Sequence, residues 1–171
     1  MTIQTRLNRN VFNPNSERCR NGMRFQDRVQ AEMANVFAEL VNTREEFSKN
    51  DPTLTNFELN MLEQRYGDIA VTVNGQRVYV ECVSVNTDQA SPFPESKIEK
   101  FIGDSKWYAI GWDGYGPKFI PARSLNAYMR KCPGFVRDGR GYRKLHRWNV
   151  RNIRAGFEGV EAFSRYLRER I

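Results

Sequence analysis

Histidine is almost missing from this 171-residue chain: His146 stands alone. A multi-histidine metal centre is excluded, and a histidine-based nucleophilic triad has little to draw on. Cys19, Cys82 and Cys132 are isolated, odd in number and without a CxxC neighbour. That pattern argues against a disulfide framework and a zinc site, and it fits a reducing, cytoplasmic setting. No apolar run is long enough to cross a membrane, and the N-terminus carries no signal-peptide core. There is no GKS/T phosphate loop, no GxSxG, no HExxH, no repeat and no low-complexity tract. Acidic residues are scarce in the last third. From Arg123 to Arg154 ten lysines and arginines face only Asp138.

What is present suits one domain over residues 1–171. Hydrophobic content of 40%, with 12% aromatic, supplies a core. The net charge of +7 favours a polyanionic partner, nucleic acid first and an acidic membrane surface second.

The most informative stretch is YGDIAVTVNGQRVYVECVSV, residues 66–85. Two β-type runs flank Asn74-Gly75, the dipeptide preferred in a two-residue type I′ hairpin. A two-residue loop fixes the register: Val73 faces Gln76, Ala70 faces Tyr79, and Asp68 falls opposite Glu81. Two carboxylates about 5 Å apart at an effective dielectric of about 20 repel by roughly 3 kcal/mol. A raised pKa, a nearby cation or a divalent metal such as Mg²⁺ would offset this.

Elsewhere the spacing predicts a first helix over residues 16–42, with Phe25, Val29, Met33, Val36, Phe37, Leu40 and Val41 as its stripe and Gly22 as a break in its first turn. Gln26 and Glu32 border that stripe on opposite flanks, and either could reach a site at the sheet edge. The cluster Phe57, Leu59, Met61 and Leu62 is a helical turn or a strand. Pro92 and Pro94 delimit a loop, and a helix begins near Pro94 with Ile98, Phe101 and Ile102 buried. Lys97 borders its buried face and is better placed than Lys100 to reach the strand carrying Glu81. Residues 107–112 read as a buried strand, 118–120 as a short one, 121–132 as a helix and 158–170 as an amphipathic helix. Residues 1–15 read as an irregular arm.

In the basic tract, Arg137, Arg140, Arg143, Lys144, Arg147, Arg151 and Arg154 are the candidates for nucleic-acid contact, with Phe135, Tyr142 and Trp148 interleaved. Gly134, Gly139 and Gly141 point to a flexible start, and His146 reads as a surface residue.

The order helix, hairpin bearing Asp68 then Glu81, helix, strand, helix resembles the PD-(D/E)XK nuclease superfamily. GMRFQDRV, residues 22–29, looks like its first-helix pattern. The resemblance covers residues 16–130 and implies an α/β, restriction-endonuclease-like core: a mixed central sheet flanked by helices, with residues 131–171 as a basic C-terminal extension. It also implies a Mg²⁺-dependent deoxyribonuclease, with Mn²⁺ as substitute. Asp68, Glu81 and the Cys82 carbonyl would hold the metal, while Lys97 and Gln26 would complete the catalytic set. The chain departs from the family at two positions. Val83 replaces the usual lysine, a role Lys97 would fill from the next helix, and Gln26 stands where the family carries glutamate. The expectation is a site-specific DNA endonuclease of a phage or mobile element (homing type), needing a homodimer to cut both strands together. The alternatives are a catalytically inactive nuclease-fold DNA- or RNA-binding protein and a basic protein–protein adaptor.

Overall fold

The computed structural model describes residues 17–85, 89–112 and 114–171, with side chains of the first helix from residue 22 onward. The arm read at residues 1–15 lies outside them. In chain order the elements are α1 (Glu17–Ala34), β1 (Glu39–Asn42), α2 (Thr43–Asn50), α3 (Asn56–Tyr66), β2 (Ile69–Val73), β3 (Gln76–Ser84), β4 (Ser91–Pro94), α4 (Glu95–Lys100), β5 (Lys106–Trp112), β6 (Tyr115–Pro121), α5 (Ala122–Met129), β7 (Gly134–Arg137), β8 (Arg140–Leu145), α6 (Arg147–Asn152), β9 (Phe157–Glu158) and α7 (Val160–Arg170). The protein is α/β. A six-strand mixed sheet runs β1-β2-β3-β5-β6-β9, and a small antiparallel sheet runs β4-β8-β7. Within the larger sheet only β3 and β5 are parallel.

Strand alternation divides the core into two. Along β5, Trp107 and Ala109 join Val29 and Met33 of α1 and Phe163 and Leu167 of α7 on one sheet face. Tyr108, Ile110 and Trp112 join Ile98 of α4, Leu125 of α5, Leu145 of β8 and Val150 of α6 on the other. Side chains of a strand point alternately to opposite faces, so a strand between two helical layers must be apolar throughout. The last third is therefore built into both cores. Among the described residues, no helix is long and apolar enough to cross a membrane.

Asn74-Gly75 makes the expected turn, with φ of 50° and 79°, and the register from Val73↔Gln76 to Ile69↔Val80 is the expected one. Three expectations are corrected, and one open alternative, at residues 57–62, is resolved as a helix. The first helix runs through Gly22 unbroken and stops at Ala34. The amides of Val36 and Phe37 both donate to the Met33 carbonyl, turning the chain, and Leu40 and Val41 pair with Val71 and Ala70. Val36, Phe37 and Leu40 still touch the core that α1 touches, so helical spacing persisted beyond the helix. The cluster at residues 57–62 lies within α3, where Leu59 is buried and Phe57 and Met61 are exposed. The stretch with Pro92 and Pro94 is strand β4 at a sheet edge, where a missing N–H costs no ladder bond. The glycine-rich start of the basic tract is a regular hairpin, with Asp138 and Gly139 at φ of 51° and 73°.

Candidate active site

Asp68 is held where α3 hands over to β2. Gly67 caps α3 with φ 74°, and a Cβ there would stand 2.7 Å from the Val80 carbonyl oxygen. Only glycine lets the chain pass so close to β3. The buried Thr43 fastens the same point, its amide donating to the Asp68 carbonyl at 3.0 Å and its hydroxyl to the Gly67 carbonyl. Asp68 does not sit in the ladder opposite Glu81, as hairpin counting implied. Its amide donates to the Val80 carbonyl (2.9 Å), the residue already paired with Ile69, so the strand steps out of register there. The half-buried Asp68 turns its carboxylate to the Cys82 amide, with Oδ2 accepting at 2.8 Å.

Glu81 is 9% exposed and points to the α4 side of the sheet, opposite Tyr108 of β5. The Tyr108 hydroxyl donates to Asn126 Oδ1 at 2.7 Å, and burial followed by the Glu81 charge raises its pKa. Lys97 Nζ of α4 lies 2.7 Å from Glu81 Oε1 and 5.7 Å from the centre of the Phe93 ring. Lys100 instead donates to Gln64 Oε1 on the surface. Val83 faces the same way as Glu81 and packs on the second core cluster.

The charges are unbalanced. Burial is the largest of the effects that raise the Asp68 pKa well above its ordinary value. Glu81 and Glu63 raise it further, while the Cys82 amide and Lys97 oppose them. Burial alone would depress Lys97, but the charge and hydrogen bond of Glu81, with Asp68 behind, leave its pKa raised. Lys97 is thus an ammonium at neutral pH. Burial, then Asp68 and Glu81, push the Cys82 thiol well up, so it is inert as a nucleophile.

Beside Asp68 opens a pocket of about 300 Å³ lined by α1 (Met23, Gln26, Asp27), the β1–α2 junction (Asn42, Arg44) and α3 (Asn60, Glu63). Gln26 therefore shares a pocket with Asp68. Glu32 lies elsewhere, in a depression with Glu158 and Glu161. Arg44 and Glu63 are additions that sequence reading missed. Arg44 Nη1 donates to Asn60 Oδ1 at 2.7 Å and pairs with Glu63 Oε2 at 3.0 Å. The Glu63 pKa is raised by burial, against the pull of Arg44 and with a further push from Glu81. Both residues sit on helices with little apolar signal. The signals that could have found them are N-terminal caps: Asn42 accepts from the Glu45 amide and Thr55 from the Glu58 amide, in the patterns NTRE and TNFE.

The basic candidates are divided. Arg143 is committed to the fold: Nε lies 3.1 Å from Glu95 Oε1, and Nη1 donates to the Arg130 and Cys132 carbonyls. Arg147 and Arg151 of α6 lie over the Trp112 ring at 4.7 and 5.4 Å, and Trp112 stacks on Tyr115. Arg137, Arg140, Lys144, Arg151 and Arg154 are exposed. His146 is half-buried and stacks on the exposed Trp148 at 3.8 Å.

Among the described residues no group of three or more His, Cys, Asp or Glu side chains is arranged to hold a metal ion. The acidic pair Asp68 and Glu81 remains a fitting donor set for a hard divalent cation. Both are carboxylates, and the repulsion that raises Asp68 is what such a cation would cancel. Comparison with family models, with curated proteins and with solved structures found no match.

Proposed function

We propose that the protein is a metal-dependent endonuclease hydrolysing DNA phosphodiester bonds, a site-specific enzyme with a restriction-endonuclease-like core of PD-(D/E)XK type. The observation that carries this reading is the meeting of Asp68 from the edge of β2, Glu81 from β3 and Lys97 from α4, with Nζ 2.7 Å from Glu81 Oε1. Three elements converge on one acidic pair and one cation. The lysine comes from the helix after the hairpin, where Val83 is turned into the core. The chain order of helix, antiparallel hairpin, helix and a strand parallel to β3 supports the same reading.

Asp68 and Glu81, with the Cys82 carbonyl, would hold Mg²⁺ or Mn²⁺. Bound there, the metal supplies an acidified water and neutralises charge on the reacting phosphate. The protein's own groups do the rest. The Cys82 amide fixes the Asp68 carboxylate in orientation. Lys97 donates one N–H to Glu81 and has two more for a water or a phosphate oxygen. Gln26 offers an uncharged amide to the Asp68 pocket, and the basic residues of the last third attract the phosphate backbone.

Incubation of the protein with plasmid and linear DNA in EDTA, Mg²⁺ or Mn²⁺, with the E81A variant alongside, tests this. Cutting is expected only with metal and only by the unaltered protein. Metal-dependent cutting retained by E81A, or none by the parent on diverse DNA, would overturn it.

A further inference from the structure

The face of the small sheet that turns away from the body has its own composition. Cross-strand partners share a face, so Phe135 with Tyr142 and Arg137 with Arg140 line one side of the β7–β8 hairpin, with Lys144 further along β8. The opposite side of the sheet carries Phe93 and Leu145, both fully buried against the core. The hairpin tip stands clear on both sides, because even Val136, on the core-facing side, is 75% exposed.

Two features of the outward face call for a partner. Arg137 and Arg140 are directly opposed across the ladder, a like-charge pairing that β-sheets avoid. Among the described residues neither takes part in an ion pair; the only carboxylate of the turn is that of Asp138. Next to them Phe135 and Tyr142 stack at 5.4 Å and 19°, and the Arg137 guanidinium lies 5.6 Å from the Phe135 ring centre. Strands β4, β7 and β8 contain no acidic residue. The sheet also leans on the helix that bears Lys97: a carboxylate oxygen of that helix lies 3.1 Å from Arg143 Nε.

 That carboxylate belongs to Glu95, the first residue of α4, so the pair joins the sheet directly to the helix of the candidate site.

We propose that this outward face is a docking surface for duplex DNA, with the hairpin tip carrying Arg137 and Arg140 entering a groove. The proposal rests on the DNA reading above and adds the element that engages the duplex. A two-stranded β-ribbon has the width of the major groove. Arginine forks suit phosphates and base edges, and the bare like-charge pair gains a counter-charge only when a polyanion arrives.

The test is binding of a labelled duplex in EDTA, where no hydrolysis occurs, read by fluorescence anisotropy across a salt series. The variants are R137A/R140A and, as a charge-matched control, R165A/R170A on α7, whose residues are exposed on the other side of the large sheet. R137A/R140A is expected to bind 10- to 100-fold more weakly and to flatten the slope of log K against log salt by about 2. The control should stay within threefold of the parent, and both variants should keep the parent melting temperature. Equal loss in both variants, an unchanged slope in R137A/R140A, or a loss confined to single strands or RNA would overturn the proposal. A parent that binds duplex through Arg137 and Arg140 but never cuts would overturn the nuclease reading and leave this one standing. A parent that cuts while R137A/R140A binds normally does the reverse.

Discussion

Among the described residues, two hairpins turn in the same way and are used in opposite ways. Asn74-Gly75 and Asp138-Gly139 both turn in two residues with positive φ at both positions, and both turns set the register of the strands they join. The first hairpin lies in the middle of the large sheet and gathers carboxylates, Asp68 and Glu81. The second stands at the edge of the small sheet and sets Arg137 against Arg140. In the first, burial makes like charge costly, and the fold answers with Lys97, the Cys82 amide and a raised pKa at Asp68. In the second, water screens the repulsion and the fold supplies no counter-ion among the described residues. Turn chemistry therefore fixes geometry alike in both, and surroundings decide what the charges can do.

The sharpest way to break this contrast is at glycine. In G67A a Cβ would press on the Val80 carbonyl at 2.7 Å, in a backbone conformation unfavourable to alanine. A loss of about 3 kcal/mol is expected in denaturant titration. At the other hairpin, G134A puts a Cβ 3.5 Å from the Tyr142 carbonyl, an ordinary contact, and should cost less than about 0.5 kcal/mol. Equal costs would mean that the buried hairpin is not held by that close approach.

Next is the ion pair. Lys97 and Glu81 retain 20% and 12% side-chain exposure, so solvent moderates their coupling. K97M leaves Glu81 without its cation and should cost about 2 kcal/mol, most of it regained in E81Q/K97M. A double variant no more stable than K97M would show that the two act independently.

The charge on Asp68 gives a smaller effect with a definite sign. Its pKa is raised in the folded protein, so the native state favours the protonated form. The associated stability is complete below the ordinary carboxylate pKa and is lost as pH rises through the raised one. D68N carries no such charge and can still accept from the Cys82 amide. It should melt higher than the parent at neutral pH, by roughly 2–4 °C for about 1 kcal/mol, with the gap closing as pH falls toward 4. A gap that widens in acid would reverse the assignment.

The smallest effect should be common to both hairpins. A Cβ at Gly75 or Gly139 meets nothing within 4 Å, but φ is positive at each. G75A and G139A should each cost about 1 kcal/mol, by the backbone term alone. Unequal losses would show that the two turns are not equivalent.

How much of this could be read in the sequence depended on where each signal was stored. Asn74-Gly75 holds its geometry in two adjacent residues, and the hairpin register followed from it. Lys97 was legible because helical phase placed it beside the buried face of α4. The step at Asp68 was not legible, since it depends on Gly67 passing against Val80 and on Thr43, a residue remote in sequence. Strand β1 was masked by Val36, Phe37 and Leu40, which prolong helical spacing while the chain has already turned. Helices α2 and α3 bury only Thr43 and Leu59 respectively and show no apolar stripe, so Arg44 and Glu63 went unseen despite their capping patterns. Asp138-Gly139 was obscured by the glycines around it, which resemble a flexible segment in composition although they form a ladder.

One feature bears on how such a protein could be altered. Strands β1 and β2 are neighbours, with Asn42 paired to Ile69, so residues 43–68 leave the sheet and return to it one strand-width away. The whole excursion is a loop grafted onto a hairpin, and the entropy of closing a loop rises only with the logarithm of its length. Arg44, Asn60 and Glu63, one wall of the pocket beside Asp68, all ride on it. That wall can be lengthened, shortened or exchanged as a cassette, provided Thr43 and Gly67 remain to latch its two ends.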